Sequence, residues 1–219
     1  MTPPRIQLIH AVTGSVDPIH DAFARLWPGA VHVDLTDTSL ATDLEAAGEL
    51  TDDFARRMTA LVRYGIDCGA DAVLFTCSAF GTAIEASRVG VDIPVLKPDE
   101  AMIEAALAIG PRIGGLATFG PTIPSLAREL ENAAEARGLN PEITLHHVAD
   151  AFQALKGGDA AKHNSHVAKA AAEMTDVDVL ILAQYTMVQA MGDIAEVAGR
   201  PVLAAPDEAV KKLRKLLGG

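Results

Sequence analysis

Residues 71–81 read DAVLFTCSAFG, and this segment is the strongest indication of the fold. Its four consecutive apolar residues, AVLF, predict a buried strand, and helical character follows from Thr82 to Arg88. Cys77 therefore lies in the turn between a strand and a helix. Unpaired N–H groups at a helix start stabilise a thiolate, so the turn predicts a cysteine with a lowered pKa. Such a cysteine serves as a nucleophile or as a base.

Strand and helix patterns alternate along the whole chain. Further strands are predicted at Arg5–Val12, Val31–Leu35 and Ile93–Leu96, and the longest helix runs from an N-cap at Thr51 to about Cys68. This alternation is typical of parallel sheets covered by helices.

The second half of the chain repeats the first. The segment RIGGLA at 112–117 aligns with RIQLIH at 5–10, and the same offset aligns Asp178 with Asp71. Near the end of each half, PVLKPDEA at 94–101 returns as PVLAAPDEA at 201–209, with one inserted residue. Shared residues at one nearly constant spacing indicate a duplication, because unrelated α/β halves share only the order of their elements.

The duplication predicts an α/β fold with two similar, doubly wound parallel-sheet lobes related by pseudo-two-fold symmetry. We place the first lobe at residues 1–97 plus 206–219 and the second at 98–205. Ligands bind at the carboxyl ends of parallel strands, so we expect the active site in a cleft between the lobes. The offset of the repeat sets Gln184 opposite Cys77.

Hydroxyl side chains follow the first strand of each half. Ser15 lies in one turn, Thr118 and Thr122 lie in the other, and Ser15 and Thr122 are equivalent positions of the repeat. Hydroxyls and free amides at helix starts bind carboxylates, so these three residues are candidate substrate-binding groups. N-capping of the following helices is the alternative.

The third strand of each half also ends in a turn with polar side chains. These turns contain Cys77, Ser78 and Ala79 in the first half and Gln184, Tyr185 and Thr186 in the second. A free cysteine is often only a packed small apolar residue, but the strand-to-helix turn favours a catalytic Cys77. Cys68, at the other end of the strand, is interpreted as structural.

The seven histidines show no convincing metal-binding pattern. His10, at the end of the first strand, is the one best placed to line the cleft, with a hydrogen-bonded core histidine as the alternative. His146 and His147 are neighbours on a strand and point to opposite faces. His163 and His166 share a helix face, but no carboxylate or thiol joins them. We expect no metal and no phosphate-binding loop.

The composition excludes several classes of partner. A net charge of −11 and an aromatic content of 4% argue against nucleic acid. No apolar run approaches the roughly 18 residues of a membrane helix. Cys68 and Cys77 are separated by an extended strand of at least about 15 Å and cannot form a disulfide, which favours the cytoplasm. The sequence leaves homo-oligomerisation open.

The segment 71–81, the Leu116-Ala117-Thr118 segment and the duplication together resemble the aspartate/glutamate/hydantoin racemase superfamily. The resemblance implies chemistry without a cofactor, and so without pyridoxal phosphate, at a carbon next to a carboxylate or amide. In two-base members, two cysteines face each other across the substrate. The resemblance makes Cys77 the first cysteine, with Ser78 and Ala79 holding the carboxylate, and puts Gln184, Tyr185 or Thr186 in place of the second. Gln184 and Thr186 are also candidate substrate-binding residues.

A site with one thiol therefore predicts an isomerase or racemase of a small acid, such as an amino acid, a hydantoin or a dicarboxylate. Cys77 acts as base or nucleophile, and Tyr185 or His10 supplies the second proton. The alternatives are a single-cysteine decarboxylase, lyase or hydrolase on the same scaffold, and a non-catalytic protein that binds small acids.

Overall fold

Eight strands form two separate four-stranded parallel sheets in residues 2–219, the part of the chain that this computed structural model describes. The strands of the first sheet pair in the order β2-β1-β3-β4. They are β1 (Arg5–His10), β2 (Val31–Thr36), β3 (Ala72–Phe75) and β4 (Val95–Leu96). All four residues of β3 are buried because β3 is an inner strand of a parallel sheet that helices flank, which explains its uninterrupted apolar sequence.

Helices flank the first sheet. They are α1 (Val16–Leu26), α2 (Ser39–Ala47), α3 (Asp52–Asp67) and α4 (Gly81–Ser87), with short 3-10 helices at Thr13–Ser15 and Ser78–Phe80. The buried face of α3 ends at Gly65, where a Cβ atom would lie 3.0 Å from Cγ of Gln7 on β1. Glycine therefore lets α3 approach the sheet closely. Thr51 is the N-cap of α3, as predicted, although its side chain makes no capping hydrogen bond.

The second sheet repeats the topology of the first, in the order β6-β5-β7-β8. Its strands are β5 (Arg112–Ala117), β6 (Glu142–His147), β7 (Val179–Leu182) and β8 (Val202–Ala204). The remaining helices are α5 (Glu100–Ile109), α6 (Thr122–Glu135), α7 (Ala149–Lys156), α8 (Ala160–Glu173), α9 (Met191–Val197) and α10 (Ala205–Leu216), with a 3-10 helix at Tyr185–Ala190.

The chain divides into two units, one comprising the residues up to Glu100 plus Ala209–Gly219 and the other Ala101–Glu208. The predicted lobes, 1–97 with 206–219 and 98–205, differ from this division by three residues at each boundary. The prediction of an α/β fold with two similar parallel-sheet lobes is confirmed. Within residues 2–219, no helix is both long and apolar enough to cross a membrane.

The constant offset of the sequence repeat is kept in the structure. The same offset separates the first residues of β1 and β5, of β3 and β7, and of β4 and β8. The backbone N–H of Arg5 donates to Asp71 Oδ2 at 2.7 Å, and that of Arg112 donates to Asp178 Oδ2 at 2.9 Å. Equivalent aspartates therefore bind the start of the equivalent strand in each unit.

Candidate active site

Cys77 lies two residues beyond β3, at the N-cap of the 3-10 helix Ser78–Phe80. Its backbone is extended, with φ −127° and ψ 118°, and its side chain is half-buried. The backbone N–H of Ala79 donates to the sulfur, so this amide, predicted to bind substrate, is directed at the thiol. The turn thus presents a partly accessible sulfur at the carboxyl end of the central strand.

The pKa of the Cys77 thiol is raised, so the prediction of a lowered pKa is wrong. Burial of the sulfur is the main cause, the hydrogen bond from Ala79 offsets part of it, and the negative charge of Asp99 raises the pKa further. The helical segment directly after Cys77 is a short 3-10 helix, and its N–H groups do not outweigh desolvation. Cys77 is therefore a neutral thiol in the resting protein.

The exposure of the two cysteines predicts their order of reaction with thiol reagents. Cys68, at the C-cap of α3, is exposed, whereas Cys77 is half-buried with a raised pKa. We expect a fast phase of labelling at Cys68 and a slow phase at Cys77 that accelerates with rising pH. Labelling of Cys68→Ala and Cys77→Ala variants assigns the phases. A fast phase that survives in Cys68→Ala would contradict the burial of Cys77.

His10 is a fully buried histidine at the end of β1 with a hydrogen bond on each ring nitrogen. Its Nδ1 lies 2.8 Å from Thr76 Oγ1 and 3.2 Å from Ser15 Oγ, and its Nε2 lies 3.0 Å from Asp34 Oδ1. Burial lowers the pKa of His10 more than the hydrogen bond and charge of Asp34 raise it. A neutral ring that donates from Nε2 to Asp34 and accepts at Nδ1 from a hydroxyl fits these contacts.

Asp34 joins His10 to a second histidine, because its Oδ1 also lies 2.9 Å from Nε2 of His20. Burial alone would raise the pKa of Asp34, but hydrogen bonds from His20 and His10 hold it below its ordinary value. Asp34 is therefore a carboxylate that two imidazoles share. The network ties together the carboxyl end of β1, the strand β2, the helix α1 and the residue before Cys77.

Ser15 belongs to the same network and holds the N-cap position of α1, but its side chain does not cap the helix. Its side chain is 4% exposed, makes no capping bond to α1, and donates to the Val12 carbonyl at 3.0 Å. It also lies 2.7 Å from Thr76 Oγ1. The capping alternative is therefore wrong for Ser15, and its predicted role in substrate binding stays a prediction.

In the second unit, Gln184 binds both predicted threonines. Its Oε1 accepts from the backbone N–H of Thr118 at 2.9 Å and from the Thr118 hydroxyl at 3.3 Å, and its Nε2 donates to Thr122 Oγ1 at 2.8 Å. Thr122 is the first residue of α6 and Pro121 is its N-cap, so Thr122 does not hold the capping position. The structure therefore brings Gln184, Thr118 and Thr122 together in one cluster.

The two units differ at equivalent positions. Ala11 and Cys77 in the first unit correspond to Thr118 and Gln184 in the second, and both pairs are 66 residues apart. Thr118 donates to Oε1 of Gln184 through its backbone N–H and its hydroxyl, whereas Ala11 has no side-chain hydroxyl at the equivalent position. In the second unit a threonine thus accompanies the amide of Gln184, and in the first unit an alanine accompanies the thiol of Cys77.

The remaining predicted residues lie close along the chain to these two clusters. Ser78 is half-buried beside Cys77, Tyr185 is buried at the start of its 3-10 helix, and Thr186 is half-buried with its carbonyl accepting from Gln189 Nε2 at 2.8 Å. No metal centre is formed by three or more His, Cys, Asp or Glu side chains of residues 2–219.

The sequence did not predict four neighbours of the site, which are Thr76, Asp34, His20 and Asp99. Thr76 is the one of these that the sequence could most easily have indicated. It directly precedes Cys77, and strand alternation turns its side chain to the opposite face. Asp34 and His20 lie on another strand and on a helix, and no local pattern links them to His10.

Comparisons with known proteins agree with this architecture. A search of curated proteins found no match to the sequence. Glutamate racemase isoform RacE1 from Bacillus anthracis matches with a TM-score of 0.74 and 18% identity, over 100% of this chain and 83% of that one. Allantoin racemase from Klebsiella pneumoniae matches with a TM-score of 0.72 and 18% identity, over 98% and 88%. An arylmalonate decarboxylase matches with a TM-score of 0.70 and 17% identity, over 99% and 93%.

These structural similarities establish the shared fold, and the sequence comparison establishes the family. The model of the Asp/Glu/Hydantoin racemase family matches residues 11–218, which is nearly the whole chain. The resemblance carried by the Cys77 turn, the Leu116-Ala117-Thr118 segment and the duplication is confirmed. The chain therefore belongs to the Asp/Glu/Hydantoin racemase family of enzymes.

Proposed function

We propose that this protein is a cofactor-independent isomerase or racemase that acts at the carbon next to the carboxylate of a small acid. Amino acids, hydantoins and dicarboxylates are the candidate substrates. The observation that carries the proposal is the Cys77 thiol, half-buried in the turn that follows β3, in a chain of the racemase family. The two free cysteines favour a cytoplasmic location.

In the proposed reaction, Cys77 first loses its thiol proton to solvent, and the resulting thiolate removes the proton on the α-carbon. The C–H bond breaks, an S–H bond forms, and the electron pair moves onto the adjacent carboxylate or amide as an enolate. Return of a proton to the opposite face inverts the centre. Because the enolate is unstable in water, the site must supply hydrogen-bond donors where its charge develops. Tyr185 and His10 remain the candidates for the second proton.

The cluster around Gln184 supports an anion-binding role for the second unit. Oε1 of Gln184 already accepts hydrogen bonds from Thr118, and one N–H of its Nε2 already donates to Thr122. The second Nε2 hydrogen and the hydroxyl proton of Thr122 remain as donors for a carboxylate. An amide does not exchange protons as a base, so this cluster fits substrate binding in a one-thiol mechanism.

A Gln184→Glu variant is expected to bind a small carboxylate about ten- to a hundredfold more weakly than the wild type. The new carboxylate accepts from Thr118 and Thr122 but removes the outward donor and repels an anion. Gln189→Glu is the matched control, because it adds the same charge at an exposed glutamine of the same unit. Isothermal titration measures both. Equal affinity in Gln184→Glu and the control would contradict the anion-binding role.

Incubation in deuterated water tests the proposed function. The wild type is mixed with single enantiomers of amino acids and hydantoins and with dicarboxylates, and α-proton loss is followed by nuclear magnetic resonance. We expect deuterium incorporation with inversion, or with double-bond isomerisation, for at least one acid. Failure of every acid to exchange or isomerise would overturn the proposal.

A single-cysteine decarboxylase or lyase is the second candidate. The observation that favours it is Gln184, an amide where two-base members of the family carry their second thiol, so that inversion by two thiols is not available. Release of carbon dioxide from substituted malonates, without exchange into amino acids, would favour this candidate. High affinity for an acid with no turnover of any kind would instead indicate a binding protein.

A further inference from the structure

The helix α2 follows the carboxyl end of β2, at the edge of the first sheet where Cys77 follows β3. The backbone N–H of Asp37, the residue after β2, donates to the His10 carbonyl at 2.9 Å, and α2 begins two residues later. Because β2, β1 and β3 are parallel, α2 and the Cys77 turn leave the sheet at the same edge. Within the nine described residues of α2, only Leu40 is buried. The helix therefore gains little from apolar burial of its own.

A single guanidinium on α3 binds this segment at three residues. Nη1 of Arg57 donates to Asp43 Oδ2 at 2.6 Å. Its Nη2 donates to Asp37 Oδ2 at 3.0 Å and to Ser39 Oγ at 2.6 Å. Burial alone would raise the pKa of Asp37, but hydrogen bonds from Ser39 and Arg57 hold it below its ordinary value. Arg57 therefore offsets the charges of two carboxylates, and its loss would leave them to repel each other.

The same arginine contacts the apolar cluster on which the Cys77 turn packs. Its guanidinium carbon lies 5.8 Å from the ring centroid of Phe54, and the ring centroids of Phe54 and Phe80 are 5.8 Å apart. Phe80 ends the 3-10 helix whose N-cap is Cys77. Leu40 belongs to the same buried cluster as the two rings, and Cys77 packs against that cluster. The helix α2 and the thiol thus share one apolar cluster, which Arg57 borders.

We propose that residues 37–47 form a hinged cover over the apolar cluster at the Cys77 turn, and that Arg57 is the latch that holds this cover closed. When the three contacts of Arg57 break, Leu40 remains as the main anchor, so the cover moves away from the cluster and the thiol becomes more accessible. Gly48 ends α2 with a φ of 74°, a left-handed conformation that suits glycine, and forms the hinge. Opening of the cover is a property of the resting protein and goes beyond the proposed function.

Three variants separate the latch from an ordinary surface ion pair. Arg57→Met keeps an unbranched apolar stem but removes the charge and every donor. Arg57→Lys keeps the charge but replaces the planar fork by a compact ammonium, which cannot reproduce the same set of bonds. Arg56→Met is the matched control, because Arg56 is the exposed neighbour on α3 and pairs with Asp53 of the same helix.

The experiment uses the full chain with Cys68→Ala, so that Cys77 is the thiol observed. Two rates are measured at one pH: amide hydrogen exchange of residues 37–47 by mass spectrometry, and alkylation of Cys77 by iodoacetamide. We expect both rates to rise about tenfold in Arg57→Met, because charge-assisted hydrogen bonds to three residues are lost, and to rise less in Arg57→Lys. Arg56→Met should change neither rate.

Salt tests the latch without a substitution at Arg57. Sodium chloride at about 1 M screens ion pairs, so it should accelerate both rates in protein that keeps Arg57 and leave those of Arg57→Met unchanged. Unchanged exchange of residues 37–47 in Arg57→Met, or an open α2 with unchanged alkylation, would overturn the proposal. A rise shared by the amides of β1 and β3 would also overturn it, because it would show general destabilisation. Neither rate requires turnover, so failure to find a substrate counts against the proposed function alone.

Discussion

A Cys77→Ala variant should exchange the α-proton of its substrate about a thousandfold more slowly than the wild type while binding that substrate with unchanged affinity. Alanine removes the sulfur that takes the proton but leaves the backbone of the turn, including the N–H of Ala79, which is then free to bind a substrate oxygen. The exchange rate is measured in deuterated water and the affinity by titration calorimetry. The loss is expected in the rate constant and not in binding.

Cys68→Ala is the control for this variant. Cys68 is exposed at the end of α3, outside the candidate site, so its replacement should leave both rate and affinity unchanged. Exchange by Cys77→Ala at the wild-type rate would mean that another group removes the proton. Loss of affinity together with rate would mean that the thiol, or the turn around it, contributes mainly to binding.

A His10→Leu variant is expected to lose about 2–4 kcal/mol of unfolding free energy at neutral pH. Leucine fills a similar volume but breaks the hydrogen bonds to Thr76 and Asp34, in a position that is fully buried. The hydroxyls of Thr76 and Ser15 then lose the ring nitrogen that they share. Urea denaturation measures the change, and His146→Leu, at an exposed residue of an edge strand, should change stability by no more than about 0.5 kcal/mol.

The same variant should be less destabilised in acid. Burial lowers the pKa of His10 in the folded protein below the ordinary value of 6.5. As pH falls through 6.5, the unfolded chain therefore gains a proton at His10 that the folded protein does not, and the wild type loses stability. His10→Leu lacks this dependence, so the difference from wild type should narrow by at most about 1.4 kcal/mol between about pH 7.5 and pH 5.5.

A difference that widens in acid would mean that His10 is charged in the folded state and paired with Asp34. His32 also has a pKa lowered by burial, and it remains in both proteins, so its contribution cancels in the comparison. His10→Gln, which can donate at one end and accept at the other, should recover part of the lost stability.

The sequence predicted those features that depend on short or repeated patterns. The apolar run of β3 defined a central strand with its bounds, and the equivalence of Asp71 and Asp178 in the repeat corresponds to two equivalent hydrogen bonds. The repeat also aligned Cys77 with Gln184, and the structure gives both residues the N-cap position of a 3-10 helix after the equivalent strand. These inferences succeed because burial and strand register depend on residues that are close together, or evenly spaced, in the sequence.

Electrostatic properties could not be predicted in the same way. The sequence indicated N–H groups near Cys77, but the balance between those groups, burial of the sulfur and the charge of Asp99 depends on packing. The network of His10, Thr76 and Asp34 likewise joins strands β1 and β2 to the residue after β3, and its residues lie up to 66 positions apart. Long-range contacts of this kind appear only when the sheet order is known.

One departure from the constant offset of the repeat indicates where this chain tolerates a change in length. Strands β2 and β6 start further apart along the chain than the inner strands β1 and β5, and both lie at the edge of their sheet. An edge strand has a single neighbour, so an insertion before it disturbs one ladder of hydrogen bonds, whereas a shift of an inner strand disturbs two. The segments leading into β2 and β6 are therefore the natural sites for grafting loops or fusing a second domain without displacing Cys77 or Gln184.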